Sequence, residues 1–281
     1  MSKVTAEWVS VSEDLAIVSH EKGEFWFLDL HEDLIPFTRP MTRNGTRGST
    51  AGLLNGAVAL GFANEGGDVE RRAISLPKYV LDLIGSYHIS RRTPNHFSRA
   101  AERFRELRRP DIATYLETHG REETGHDRLV LKDLRALGLP AERIVANFVP
   151  EGMQPLCELF DRLCAAEYPV GCIGYCYCFE STAALKQKPE VEALEALCPE
   201  GIDASRFLRT HSGLGSELAH VEELIDFIAS LPASDRIEIV KAAYETALAM
   251  ANRLRRDGRM SDAAILAKIQ AAAGQEINLA A

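Results

Sequence analysis

From about Leu76 to its end, the chain places apolar residues at three- and four-residue spacing, a period that helices bury on one face. Thr93-Pro94, Arg109-Pro110, Lys188-Pro189 and Leu231-Pro232 put proline where a first helical turn accepts it, since no N–H is needed there. Gly138-Leu139-Pro140 has the glycine and following proline that end a helix. The pattern predicts about eight helices without an internal repeat, and hence an all-α bundle. Ahead of it, Trp8 to Leu30 reads as extended runs, WVSVS with LAIVSH and then FWFLDL, turning at Glu21-Lys22-Gly23-Glu24. This predicts a small β-hairpin. The segment from Arg39 to Thr50 is polar and aperiodic and reads as a linker or surface loop. The expected organisation is an N-terminal extension over residues 1–50 and a helical domain over residues 51–281.

Acidic residues outnumber basic ones 41 to 32, giving a net charge of −9, which argues against nucleic acid or an anionic membrane as the main partner. The start MSKVTAEWVS has neither the basic, apolar pattern of a secretory signal nor an Arg-rich amphipathic character, so a cytoplasmic location is expected. The most apolar stretch, Ala51 to Ala63, is too short for a bilayer and is interrupted by Asn55. All six cysteines fall between Cys157 and Cys198, three of them (Cys172, Cys176, Cys178) inside an apolar and aromatic run. No CxxC pair is present, and buried thiols are the expectation.

The chemistry-bearing residues are His and Glu. In the helix expected from Pro110, His119, Glu122, Glu123 and His126 stand at offsets of three, four and seven, which puts them on one stripe. Glu123 and His126 form the Glu-x-x-His pair that carboxylate-bridged di-iron bundles use to hold a metal. Glu180 follows nine residues almost devoid of charge, and burying it calls for a cation or an arginine partner. Alanines at 183 and 184 leave room beside it.

A third segment supplies His211, Glu217 and His220. Glu217 and His220 share a face, but His211 and His220 are nine residues apart, about 900° of rotation, so a straight helix holds them on opposite sides. Gly213 and Gly215 lie between. Either a bulge there adds the missing rotation, or the glycines end one helix and start another, leaving His211 as a cap or core residue. Three segments with nitrogen and oxygen ligands and no thiolate suit iron or manganese better than structural zinc.

The run REETGHDRLVLKDLRALG, with its acidic pair before a His and its later Asp-Leu and Leu-Gly, resembles the signature helix of the heme-oxygenase-like diiron oxidases and oxygenases. Their fold is shared with the thiaminase II and pyrroloquinoline-quinone synthase families. The resemblance spans about Ser75 to Met260 and implies a heme-oxygenase-like helical bundle. It implies Glu123 and His126 as the first ligand pair and Glu180 as the lone Glu. His211, Glu217 and His220 answer to a His-x-x-x-Asp-x-x-His motif, with Glu for Asp and two extra residues after His211. His119 falls where some relatives place a ligating Glu.

The implied cofactors are two Fe(II) ions with O₂ as co-substrate. The implied reactions are N-oxygenation, desaturation or oxidative C–C cleavage of a small amine- or acid-bearing metabolite in a biosynthetic pathway, with an external electron donor and a homodimer as further expected partners. Tyr175, Tyr177, Cys176 and Lys186 are candidates for facing the substrate or the ligands. Three readings compete: a cofactor-free thiaminase II-like enzyme using Cys172, Cys176 or Cys178 as nucleophile, a non-catalytic metal-binding helical protein, and a haem oxygenase with His88 or His96 as proximal ligand.

Overall fold

The computed structural model describes residues 6–31, 45–63, 75–215 and 217–279. Three strands open the chain: β1 (Ala6–Ser10), β2 (Leu15–His20) and β3 (Phe25–Asp29). Thirteen helices follow among the described residues: α1 (Arg47–Ala63), α2 (Leu76–Ser90), α3 (Thr93–Glu106), α4 (Pro110–Glu122), α5 (His126–Ala136), α6 (Ala141–Asn147), α7 (Gln154–Cys164), α8 (Gly171–Ala184), α9 (Lys188–Glu195), α10 (Arg206–Thr210), α11 (Glu217–Ser230), α12 (Ala233–Arg259) and α13 (Asp262–Ala273). The bundle is thus more finely divided than about eight helices, because several segments stop after one to three turns at glycine or proline. None of the described helices is long and apolar enough to cross a membrane.

The chain forms two compact units, each drawn from separate stretches of sequence. The first comprises Met1–Gly67, Val170–Thr182 and Glu217–Asn252. Its strands make an antiparallel meander, β1-β2-β3, with Trp8 opposite Val18 and Val18 opposite Trp26. The hairpin expected at Glu21–Glu24 is the second of two turns. The first sits at Val11–Asp14, where the Ser12 hydroxyl accepts the Asp14 and Leu15 amides. The sheet packs on α1.

Helix α1 corrects the linker reading. Thr46 and Ser49 exchange backbone-to-hydroxyl bonds of 3.0 and 3.2 Å, a reciprocal cap that starts the helix at Arg47, inside the stretch expected to be loop. Residues 39–44 of that stretch lie outside the described residues. Below the cap, Glu7 of β1 meets Arg236 of α12, and both are buried. The Ser49 hydroxyl donates to Glu7 at 2.5 Å, and the Arg236 guanidinium donates to both Glu7 oxygens and to Thr50. Helix α8 is buried on nearly every side, which explains why its run of cysteines, aromatics and glycines shows no polar face.

The second unit comprises Asp68–Pro169, Ala183–Ser216 and Arg253–Ala281. Its core gathers Val80, Ile84, Val130, Leu134, Ile144, Leu208, Ile265 and Ile269. Helix α2 packs on α5 and α13, α3 on α4, and α10 on α5. Proline occupies the first turn of α2, α3, α4, α7 and α9, as the first-turn rule predicts at Pro94, Pro110 and Pro189. Gly138 ends α5 with a φ of +76°.

Candidate metal centre

The stripe His119, Glu122, Glu123, His126 does not lie on one helix. Helix α4 stops at Glu122, Glu123 is its C-cap, and Gly125 takes a φ of +96° before α5 begins at His126. That left-handed backbone suits glycine, and no atom lies within 4 Å of where a Cβ would stand. The turn still brings Glu123 and His126 together, with His126 Nδ1 3.1 Å from Glu123 Oε2. Glu122 is exposed, whereas Glu123 is buried and His126 half-buried.

His211 joins them. It is the C-cap of the five-residue helix α10, and its ring meets that of His126 edge-on with centroids 4.7 Å apart. Phe207, one turn earlier, lies 4.5 Å from the same ring. Ligand atoms of Glu123, His126 and His211 all lie within 4.8 Å of one another, the one such group of three or more among the described residues. Burial pushes the Glu123 carboxyl up, but the His126 hydrogen bond and the nearby His211, His126 and His119 charges more than reverse this, to a pKa of about 2. The centre is an ionised carboxylate facing two imidazoles, a donor set that fits a divalent metal with preference for nitrogen and oxygen.

Of the two readings of the His211 segment, the helix break is the observed one, and His211 is a cap that is also a member of the centre. The glycines are required. A Cβ on Gly213 would stand 2.8 Å from the Ala184 carbonyl oxygen, and one on Gly215 would stand 2.2 Å from that of Thr210.

His119 is buried on α4, its ring stacked on Tyr115 and tilted against Phe97. Glu180 is buried on α8, and Glu217 and His220 occupy the first turn of α11; these three belong to the first unit. The Tyr177 hydroxyl donates to Asn55 at 2.8 Å, Tyr175 packs against Phe179, and Cys176 is buried. Lys186 is half-buried after α8, and its carbonyl accepts the Gly213 amide. All six cysteines are free thiols and five are buried. Burial pushes the Cys157 thiol up to about 11 and that of Cys178 higher still. His88 bonds the Phe148 carbonyl and His96 pairs with Asp161.

Sequence reasoning met Asp133 only as the Asp-Leu of the resembling motif and gave it no role. Its carboxylate is fully buried and accepts the Arg206 and Phe207 amides at the start of α10. The available signal was an aspartate seven residues after His126, on the same face of an otherwise well-patterned helix.

A family model described as an iron-containing redox enzyme matches residues 83–251, more than half of the chain, and the match includes Glu123, His126 and His211. No curated protein matches the chain. Among solved structures, a domain of unknown function with a heme oxygenase-like fold from Shewanella denitrificans matches with 18% identity over 75% of this chain and 89% of that one, at a TM-score of 0.58. A TenA homologue from Pseudomonas syringae matches with 14% identity over 78% and 99%, at 0.59. A CADD-like protein of unknown function from Nostoc punctiforme matches with 14% identity over 79% and 96%, at 0.55. At such identities the likeness is one of fold: an all-α, heme-oxygenase-like bundle carrying a small N-terminal antiparallel sheet.

Proposed function

The chain belongs to the family of iron-containing redox enzymes, and on that premise we propose that it is an O₂-dependent oxidoreductase whose Glu123, His126 and His211 hold iron. The observation that supports this most is the convergence of one carboxylate and two imidazoles within 4.8 Å, the donor set of non-haem Fe(II) oxygenases. Iron held there would supply electrons and a coordination position for O₂, with an external electron donor returning it to Fe(II) between turnovers. The protein's part is to keep Glu123 ionised in a buried place, to hold the His126 ring by its bond to Glu123, and to restrict water. The substrate is a small amine- or acid-bearing metabolite, and the outcome is N-oxygenation, desaturation or oxidative C–C cleavage.

The diiron form of this reading adds Glu180, Glu217 and His220, with His119 as a further candidate; it rests on motif order. A single-iron form is favoured by the group of three ligands itself. Against Cys178 as the nucleophile stands its raised thiol, which keeps little thiolate at neutral pH. The test is to add Fe(II) anaerobically to metal-free protein, count iron per chain and then measure O₂ uptake. About two irons supports the diiron form, about one supports the single-iron form. No bound iron, or iron without O₂ consumption, overturns the oxidoreductase reading, the latter in favour of a non-catalytic metal binder.

A further inference from the structure

We infer that Asp133 is the positioning residue of the metal centre: carried on the helix that starts with His126, it caps the helix that ends at His211 and thereby sets the two imidazoles against each other. The inference rests on the proposed role of Glu123, His126 and His211 in holding metal.

Helix α10 has five residues, far below the length at which a helix sustains itself, so tertiary contacts determine its direction. Its own N-cap, Ser205, makes no side-chain cap bond. Asp133 takes that place from α5. One oxygen accepts the Arg206 amide at 3.2 Å and the Arg206 guanidinium at 3.1 Å, and the other accepts the Phe207 amide at 2.8 Å. A fully buried carboxylate at a helix start, bonded to two backbone N–H groups and a guanidinium, is a strong and directional anchor.

The anchor leads directly to the ligand. Phe207, whose amide Asp133 holds, accepts the His211 amide on its carbonyl at 2.9 Å and lays its ring 4.5 Å from that of His211. On the other side, Asp133 and His126 are seven residues apart on α5, two turns along one face. The chain from His126 through α5, Asp133 and Phe207 to His211 is therefore continuous. Further contacts steady the same short helix: the Tyr79 hydroxyl bonds the Ala204 carbonyl at 2.7 Å, and Glu195 pairs with Arg209 at 2.6 Å. Of these, Asp133 alone holds the start of α10 from the helix that carries a ligand.

The test uses Asp133→Asn, which keeps the shape and one acceptor oxygen. In metal-free protein, the Arg206 and Phe207 amides should exchange with solvent about tenfold faster and the His211 ring resonances should move, while those of His88 stay in place. Co(II), as a probe for Fe(II), should bind about tenfold more weakly, in the range set by residues that orient metal ligands, and its visible bands should change. In a His211→Ala background the same substitution should leave Co(II) affinity unchanged.

Unaltered amide exchange and His211 resonances in Asp133→Asn would overturn the inference while leaving metal binding intact. An undiminished affinity loss in the His211→Ala background would overturn it too, as a merely structural effect. If His126→Ala binds Co(II) as the unsubstituted protein does, the functional reading itself fails and takes the inference with it. Should Asp133→Asn not fold, Phe207→Leu tests the same link: weaker Co(II) binding and displaced His211 resonances support it, and no change in either overturns it.

Discussion

Glu7 and Glu123 are both buried carboxylates, and they are compensated in different ways. Glu7, in the first unit, faces the guanidinium of Arg236, which carries its charge at every physiological pH, and the hydroxyl of Ser49. Glu123, in the second, faces two imidazoles, which carry charge only when protonated. The first arrangement is balanced in charge as it stands. The second can be balanced by protons or by a divalent cation, and that difference separates a structural acid from a candidate ligand even though their exposures, 2% and 8%, are similar. Burial of a carboxylate is thus a poor guide to function, and the identity of its partners is a better one.

The comparison can be broken first at Arg236. Arg236→Met leaves Glu7 buried without its cation and should cost about 3–5 kcal/mol in urea unfolding, with much of the loss recovered when Glu7→Gln is added. A loss below about 1 kcal/mol would mean that Glu7 is not held by charge. Next, Co(II) at a hundredfold excess over its Kd should stabilise the unsubstituted protein by about 2.7 kcal/mol, whereas Glu123→Gln should show little of this gain. Equal gains in both would remove Glu123 from the centre.

A smaller effect sharpens the contrast within the second unit. Gly125→Ala and Gly138→Ala each force a side chain into left-handed backbone and should each cost about 1–2 kcal/mol. Only Gly125→Ala should also weaken Co(II) binding, because Gly125 sets the turn between Glu123 and His126. Finally, brief alkylation of native protein near pH 8 should label Cys198 first, since Cys157, with its thiol pushed up to about 11, and Cys178 are buried; early labelling of Cys178 would revive the cysteine nucleophile.

The bundle was legible because helix periodicity and first-turn prolines are local signals, and α3, α4 and α9 start where the prolines say. The sheet was half legible: Gly23 marks the second turn, but the first is made by Ser12, whose hydroxyl substitutes for a glycine signal. At the centre, the pairing of Glu123 with His126 was readable from spacing, although the helix assumed to present them is broken. Thr124-Gly125 was the sign of that break, overlooked because offsets of three suit a helix and a tight turn alike. The convergence of His211 was implied by the family resemblance but not by spacing, since it depends on the direction of a five-residue helix set by Asp133, Tyr79 and Glu195 from distant parts of the chain. Long-range hydrogen bonds leave no periodic trace.

The brevity of α10 also bears on how long a metal would stay. His126 starts a helix whose Val130 and Leu134 are locked in the core, so that arm moves only when much of the unit opens. The His211 arm is secured by a few polar bonds and Leu208, and on so short a helix it would be the part to let go first. Loading and loss of the ion would then run at the frequency of one turn of helix lifting and resettling, far faster than the unfolding of the bundle that surrounds it.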